Sequence, residues 1–156
     1  MVDILPPEPR HRADWDRLYA GYAAFYRVEQ TPQMRETVWR WIHEPGHELE
    51  ALIAEDAAHR MLGLAHWRRY ARPLRATAGI FLDDLFVDPA HRGSGVAEAL
   101  IGALQARAAE EGLSVVRWIT ADDNYRARGL YDRLATRTMW VTYDAAPASS
   151  GPTPSG

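Results

Sequence analysis

The chain of 156 residues contains no cysteine. That excludes disulfides, thiolate metal sites and a cysteine nucleophile, and it fits a reducing compartment. No apolar run approaches the roughly 18 residues of a membrane-spanning helix. Positive charge is not in excess either: 18 Lys and Arg against 21 Asp and Glu leave a formal net charge of -3. Binding nucleic acid through a bulk basic field is therefore not expected. The opening residues carry no basic stretch followed by an apolar one, so no signal peptide is expected. These absences point to a soluble, cytoplasmic protein, with residues 1–144 forming one domain. Residues 145–156, rich in Ala, Pro, Ser and Gly, read as a flexible tail.

What is present is a regular succession of elements. Ile4-Leu5 reads as an opening edge strand before a proline-rich break. Trp15, Leu18, Tyr19, Tyr22, Phe25 and Tyr26 make one apolar stripe at helical spacing. Thr31-Pro32 starts a second helix and Pro45-Gly46 stops it. Strands are predicted over residues 49–55, 61–70 and 80–87, with a basic loop spanning 68–75 between the last two. A helix over 95–111, a strand over 115–120, a helix over 124–134 and a last strand over 139–143 complete the order. Such an order describes an α/β protein: a mixed, mostly antiparallel sheet with helices on both faces.

Chemistry concentrates where the strand over 80–87 runs into Arg92-Gly93-Ser94-Gly95 and a helix. Two glycines let backbone N–H groups approach an anion, and the helix start adds about half a positive charge. The dinucleotide fingerprint needs a third glycine where Glu98 stands, and the Walker Gly-Lys-Ser/Thr is absent. Farther along, Asn124-x-x-Ala127-x-x-Leu130-Tyr131 follows the next strand. Together, Arg92-Gly93-Ser94-Gly95-Val96-Ala97 and this second stretch resemble the Gcn5-related N-acetyltransferase (GNAT) superfamily. Leu82-Asp83-Asp84-Leu85-Phe86-Val87 is similar to the Leu-Glu-Asp motif of diamine and polyamine acetyltransferases. The closing segment is most similar to the yeast branch that acetylates D-amino acids, histones and polyamines.

The resemblance implies an acyl-CoA N-acyltransferase fold in which the strands over 80–87 and 115–120 splay apart. It implies that Arg92, Gly93, Ser94, Gly95, Val96 and Ala97 bind the pyrophosphate of acetyl-CoA. Leu85, Phe86 and Val87 would bind the pantetheine arm through their backbone, with Asn124 and Ala127 along its other side. Tyr131 would face the thioester sulfur. No metal is implied.

An attacking amine must be neutral, yet alkyl ammonium groups titrate near about 10.4, so a carboxylate beside the acceptor is useful. Asp83 and Asp84 are expected on adjacent faces of their strand. Asp83, aligned with the Glu of the family motif, is the first choice as base; Asp84 or a water chain is the alternative. Tyr131 can protonate the departing thiolate, whose thiol titrates near about 8.5. The acceptor is read as a small primary amine, either a polyamine or an amino acid, or a peptide. The non-enzymatic alternative is a module that binds acyl-CoA without turning it over.

Other signals are weaker. His43-Glu44-Pro45-Gly46-His47 matches a zinc-protease string, but Pro-Gly inside it breaks the required helix. His66 and His91 stand alone and read as core or surface residues. Arg68, Arg69 and Arg72 belong either to a solvated hairpin or to a clamp for an acceptor carboxylate or phosphate. The strand over 139–143 lacks a second covering strand, so a homodimer through that edge is expected.

Overall fold

The computed structural model describes residues 1–149. The chain divides into two compact units, Met1–Asp123 and the segment from Asn124 onward. In the first, one sheet runs in the order β1 (Asp3–Leu5), β2 (Glu50–Glu55), β3 (Met61–Arg72), β4 (Thr77–Val87) and β5 (Val116–Arg117). The first four strands are antiparallel, and β5 joins β4 in parallel. Helices α1 (Arg12–Phe25) and α2 (Pro32–His43) precede β2, and α3 (Val96–Glu111) connects β4 to β5. The mixed, mostly antiparallel architecture is the one expected.

Alternation along β3 assigns the two faces. Leu64 enters a core with Trp15 and Leu18 of α1, Ile53 of β2 and Phe86 of β4, against which Val38, Trp39 and Ile42 of α2 pack. Each large side chain buried there stabilises the fold by about 1.5–3 kcal/mol. On the opposite face, a Cβ at Gly63 would lie 2.9 Å from Val96 and 3.4 Å from Leu100, both in α3. Arg107 of α3 also stacks over Trp67 of β3. Helices therefore cover both faces.

Local chemistry explains the ends. The Thr31 hydroxyl accepts from the Met34 N–H at 3.2 Å and caps α2, with Pro32 in its first turn. Gly112, at φ 68°, closes α3 in the left-handed conformation that glycine adopts without strain.

Three expectations need correction. The basic stretch over 68–75 is mostly strand: Arg68 to Arg72 pair with Phe81 to Thr77, and only Pro73–Arg75 make the turn. The strand expected over 115–120 shrinks to Val116–Arg117, whose partners Ile80 and Phe81 stand just before the β4 bulge, and a bulge disrupts the ladder where it falls. Residues 139–143 form no strand. Met139, Trp140, Val141 and Tyr143 have no ladder partner among the described residues and are exposed, and a strand without a partner leaves its backbone unpaired. In this second unit the regular element is α4 (Tyr125–Leu134). The expected tail lies partly outside the described residues; 145–149 carry no regular structure.

Candidate active site

The bulge in β4 organises the acids. His66 pairs with Asp84 and Trp67 with Leu82, so Asp83 is an extra residue opposite no partner. An unbroken strand would put Asp83 and Asp84 on opposite faces. The bulge instead brings both to the α1 face: Asp84 meets Tyr19 and His66, and Asp83 meets Arg68, whose guanidinium stacks over Phe81. The expectation of adjacent faces is corrected in favour of a shared one.

Asp84 is densely bonded. His66 Nδ1 lies 2.9 Å from its Oδ2 and the Tyr19 hydroxyl donates to the same oxygen at 3.1 Å. Burial works to raise its carboxyl, but the donors His66, Tyr19 and Tyr22 outweigh burial and hold it below its ordinary value. Asp83 goes the other way. Burial pushes it above the ordinary value despite the Arg68 guanidinium at 3.2 Å. Burial, then the nearby Asp84 charge, raise the Tyr19 and Tyr22 phenols well above theirs.

β5 pairs with Ile80 and Phe81, before the bulge, and with no residue of β4 past it. The β5-side backbone edge of Leu85, Phe86 and Val87 therefore carries no ladder among the described residues. That edge leads to the turn before α3. Gly93 (φ 80°) and Gly95 (φ 85°) both sit in the left-handed region, and a Cβ on either would meet nothing within 4 Å. Gly95 is the N-cap of α3 and has no side chain to cap it, so first-turn N–H groups at Val96 and Ala97 face outward. The Ser94 hydroxyl donates to the His91 carbonyl within the turn. Arg92 lies over Phe25 at 5.3 Å and Phe86 at 5.7 Å, adding a held cation. An open, glycine-lined helix start with a neighbouring guanidinium fits a pyrophosphate.

In the second unit Asn124 is the N-cap of α4, its Oδ1 accepting from the Ala127 N–H at 3.4 Å. The Asn-x-x-Ala spacing is thus the spacing of a helix cap. Tyr131 lies two turns into α4 and is half-buried.

His66 is the residue that sequence reasoning undervalued. It is fully buried and accepts the Trp15 indole N–H at 2.9 Å. The available signal was its place in the apolar run Met61-Leu62-Gly63-Leu64-Ala65-His66-Trp67, on the face that meets the aromatic stripe of α1. By contrast, His43 ends α2 and His47 lies past it, stacked on Trp41 at 5.2 Å, so the two imidazoles share no helix. Arg69 pairs with Glu111 and Glu50, and Arg72 with Ser114, which leaves Arg68 as the arginine of that stretch bonded to a site acid.

The model of the acetyltransferase (GNAT) family matches residues 15–135. The chain is 28% identical over 137 residues to the D-amino-acid N-acetyltransferase HPA3 of Saccharomyces cerevisiae, covering 87% of this chain and 85% of the yeast protein. It is similar in fold to the ribosomal-protein-alanine N-acetyltransferase of Brucella melitensis biovar Abortus 2308 (24% identity, TM-score 0.74, 94% of this chain and 99% of that one). It is also similar to AAC(6')-Iy in complex with a bisubstrate analog of CoA (20% identity, TM-score 0.79, 95% and 99% covered).

Proposed function

The chain belongs to the acetyltransferase (GNAT) family and is an N-acetyltransferase, and from that premise we propose that it transfers acetyl from acetyl-CoA directly to the primary amine of an amino acid, a polyamine or a peptide end. The observation that carries this reading is the bulged Asp83–Asp84 pair beside an open strand edge that ends at a glycine-capped helix. The yeast relative, by its name, acts on D-amino acids. Arg68 next to Asp83 offers a cation for a substrate carboxylate, which supports an amino acid over a polyamine.

Acetyl-CoA supplies the acetyl thioester. The Arg92-Gly93-Ser94-Gly95-Val96-Ala97 turn holds the pyrophosphate with backbone N–H groups, and the open edge of Leu85, Phe86 and Val87 holds the arm. Asn124 and Ala127 are assigned to the arm, and Tyr131 to the sulfur, from the family resemblance. Asp83, raised by burial, takes a proton from the acceptor ammonium and frees the nitrogen lone pair for attack. The nitrogen bonds to the acetyl carbon and sheds its second proton to solvent, and as the C–S bond breaks Tyr131 gives its phenolic proton to the departing sulfur and recovers one from solvent. No residue is acylated.

A thiol-release assay over D- and L-amino acids, polyamines, aminoglycosides and histone peptides tests the reading. Turnover with a free amino acid is expected. CoA binding seen by calorimetry with no thiol released across the panel would overturn it in favour of a non-catalytic module.

A cytoplasmic location and a homodimer complete the proposal. The first rests on the absence of cysteine, the second on the exposed Met139, Trp140, Val141 and Tyr143. Sedimentation should show a species of twice the chain mass that weakens when the chain is cut after Arg137, which removes those four residues. A concentration-independent monomer would remove the dimer.

A further inference from the structure

The bonded side of Asp84 extends into the core. Trp15 and His66 are both fully buried. An indole N–H can only donate, so His66 Nε2 accepts from Trp15 at 2.9 Å and the ring hydrogen sits on Nδ1. Nδ1–H then donates to Asp84 Oδ2 at 2.9 Å. Tyr19, edge-on to the imidazole with centroids 4.6 Å apart, donates to the same oxygen. The surrounding face is apolar, with Leu64, Ile53 and Phe86, so a leucine in place of His66 would suit packing alone. A buried imidazole costs desolvation and is retained here in a chain of bonds that ends on a carboxylate with 21% of its side chain open.

We propose that Trp15 and His66 are positioning residues that fix the Asp84 carboxylate as the seat of the acceptor's ammonium, leaving Asp83 to take its proton. The inference rests on the reading under Proposed function. The groups facing Asp84 are His66 from β3, Tyr19 and Tyr22 from α1, and Asp83 on β4, with Arg68 of β3 beyond Asp83. His66 and Tyr19 donate to Asp84, whereas Asp83 pairs with Arg68. Two neighbouring acids pushed in opposite directions divide the work: one stays an anion and the other can accept a proton. The proton passes from the ammonium nitrogen to an Asp83 oxygen, and Asp84 exchanges none.

The test is steady-state thiol release against pH, at saturating acetyl-CoA, for wild type, His66→Leu and His66→Asn. Asparagine places an amide donor near the position of Nδ1, whereas leucine places none. His66→Leu should raise the acceptor KM about tenfold or more and move the acid limb of kcat/KM to higher pH, because Asp84 loses a donor to its charged form. CoA affinity should not change, and His66→Asn should recover most of the loss. If His66→Leu does not fold, Tyr19→Phe removes a donor from the same oxygen at a half-buried position and should show the same split. A lower melting temperature with wild-type KM and an unmoved acid limb would overturn the proposal, as would equal losses in His66→Leu and His66→Asn. Wild type that acetylates no amine would instead overturn the reading on which it rests.

Discussion

One substitution made at two glycines should have opposite signs. At Gly63 an added Cβ would stand 2.9 Å from Val96 Cγ1, 3.0 Å from the Phe86 carbonyl oxygen and 3.4 Å from Leu100 Cδ1. One of those neighbours is backbone and another belongs to the first residue of α3, so neither can swing aside as a long side chain would. Overpacking of this kind costs about 1–3 kcal/mol, and for a chain of this size each kcal/mol lowers the melting temperature by roughly 2–4 °C. Gly63→Ala should therefore melt roughly 2–12 °C below wild type. Gly102 lies within α3 and is exposed, and a Cβ there meets nothing within 4 Å. Gly102→Ala gains helix propensity and a less flexible unfolded chain, about 0.4–1 kcal/mol of stabilisation, or a rise of roughly 1–4 °C. Scanning calorimetry with urea titration resolves both. Pushing Val96 outward would also disturb the helix start proposed for the pyrophosphate, so Gly63→Ala should bind CoA more weakly while Gly102→Ala binds it as wild type does. A Gly63→Ala protein within about 0.5 kcal/mol of wild type would refute the close packing of α3 on β3.

Gly95→Asp combines strain at φ 85° with a carboxylate at the phosphate turn, so calorimetry should show CoA affinity falling by about a hundredfold or more and stability by about 1–2 kcal/mol. Unchanged affinity would place the pyrophosphate elsewhere. Tyr131→Phe should lower kcat by about 10²–10⁴-fold with CoA affinity intact, as single-turnover kinetics would report; full turnover would make Tyr131 a packing residue. Arg10 in two hydrogen bonds, then His11 and His59, hold the Glu55 carboxyl at about 2, below its ordinary 4.5. A depressed carboxyl stabilises the fold above its unfolded value and loses that contribution as pH falls toward 2. Melting temperature against pH should thus drop between pH 4.5 and 2 in wild type and run flatter in Glu55→Gln; parallel curves would sink the assignment.

Much of this was legible from residue order because it obeys local rules. The stripe from Trp15 to Tyr26, the Thr31-Pro32 start and the Gly-x-Gly before α3 each signal their element within a few residues, and family membership followed from two short motifs. The bulge was not legible. Nothing in Leu82-Asp83-Asp84-Leu85 marks which residue drops out of register, since that depends on Trp67 pairing with Leu82 across the sheet. The bond from Trp15 to His66 spans 51 positions and joins a helix to a strand, beyond the reach of any spacing rule. Residues 139–143 mislead for a related reason: their aromatic and β-branched composition is that of a strand, but a strand also requires a partner, which no local pattern can supply.

The extra residue in β4 also acts as a parity change along the chain. Before it, the even-numbered Leu82 faces the same side as Trp67, under α3; after it, the even-numbered Asp84 and Phe86 face α1. Inside and outside are thus counted differently in the two halves of one strand. A deletion of Asp83 would restore even counting and force a choice. Either the buried Ile80 and Leu82 change faces, or Asp84 and Phe86 do. In the first case the α3 side loses its apolar lining, and in the second the core under α1 loses Phe86 and the site loses its carboxylate. At this position a change of one residue in length is not a local event, although a change of side chain can be.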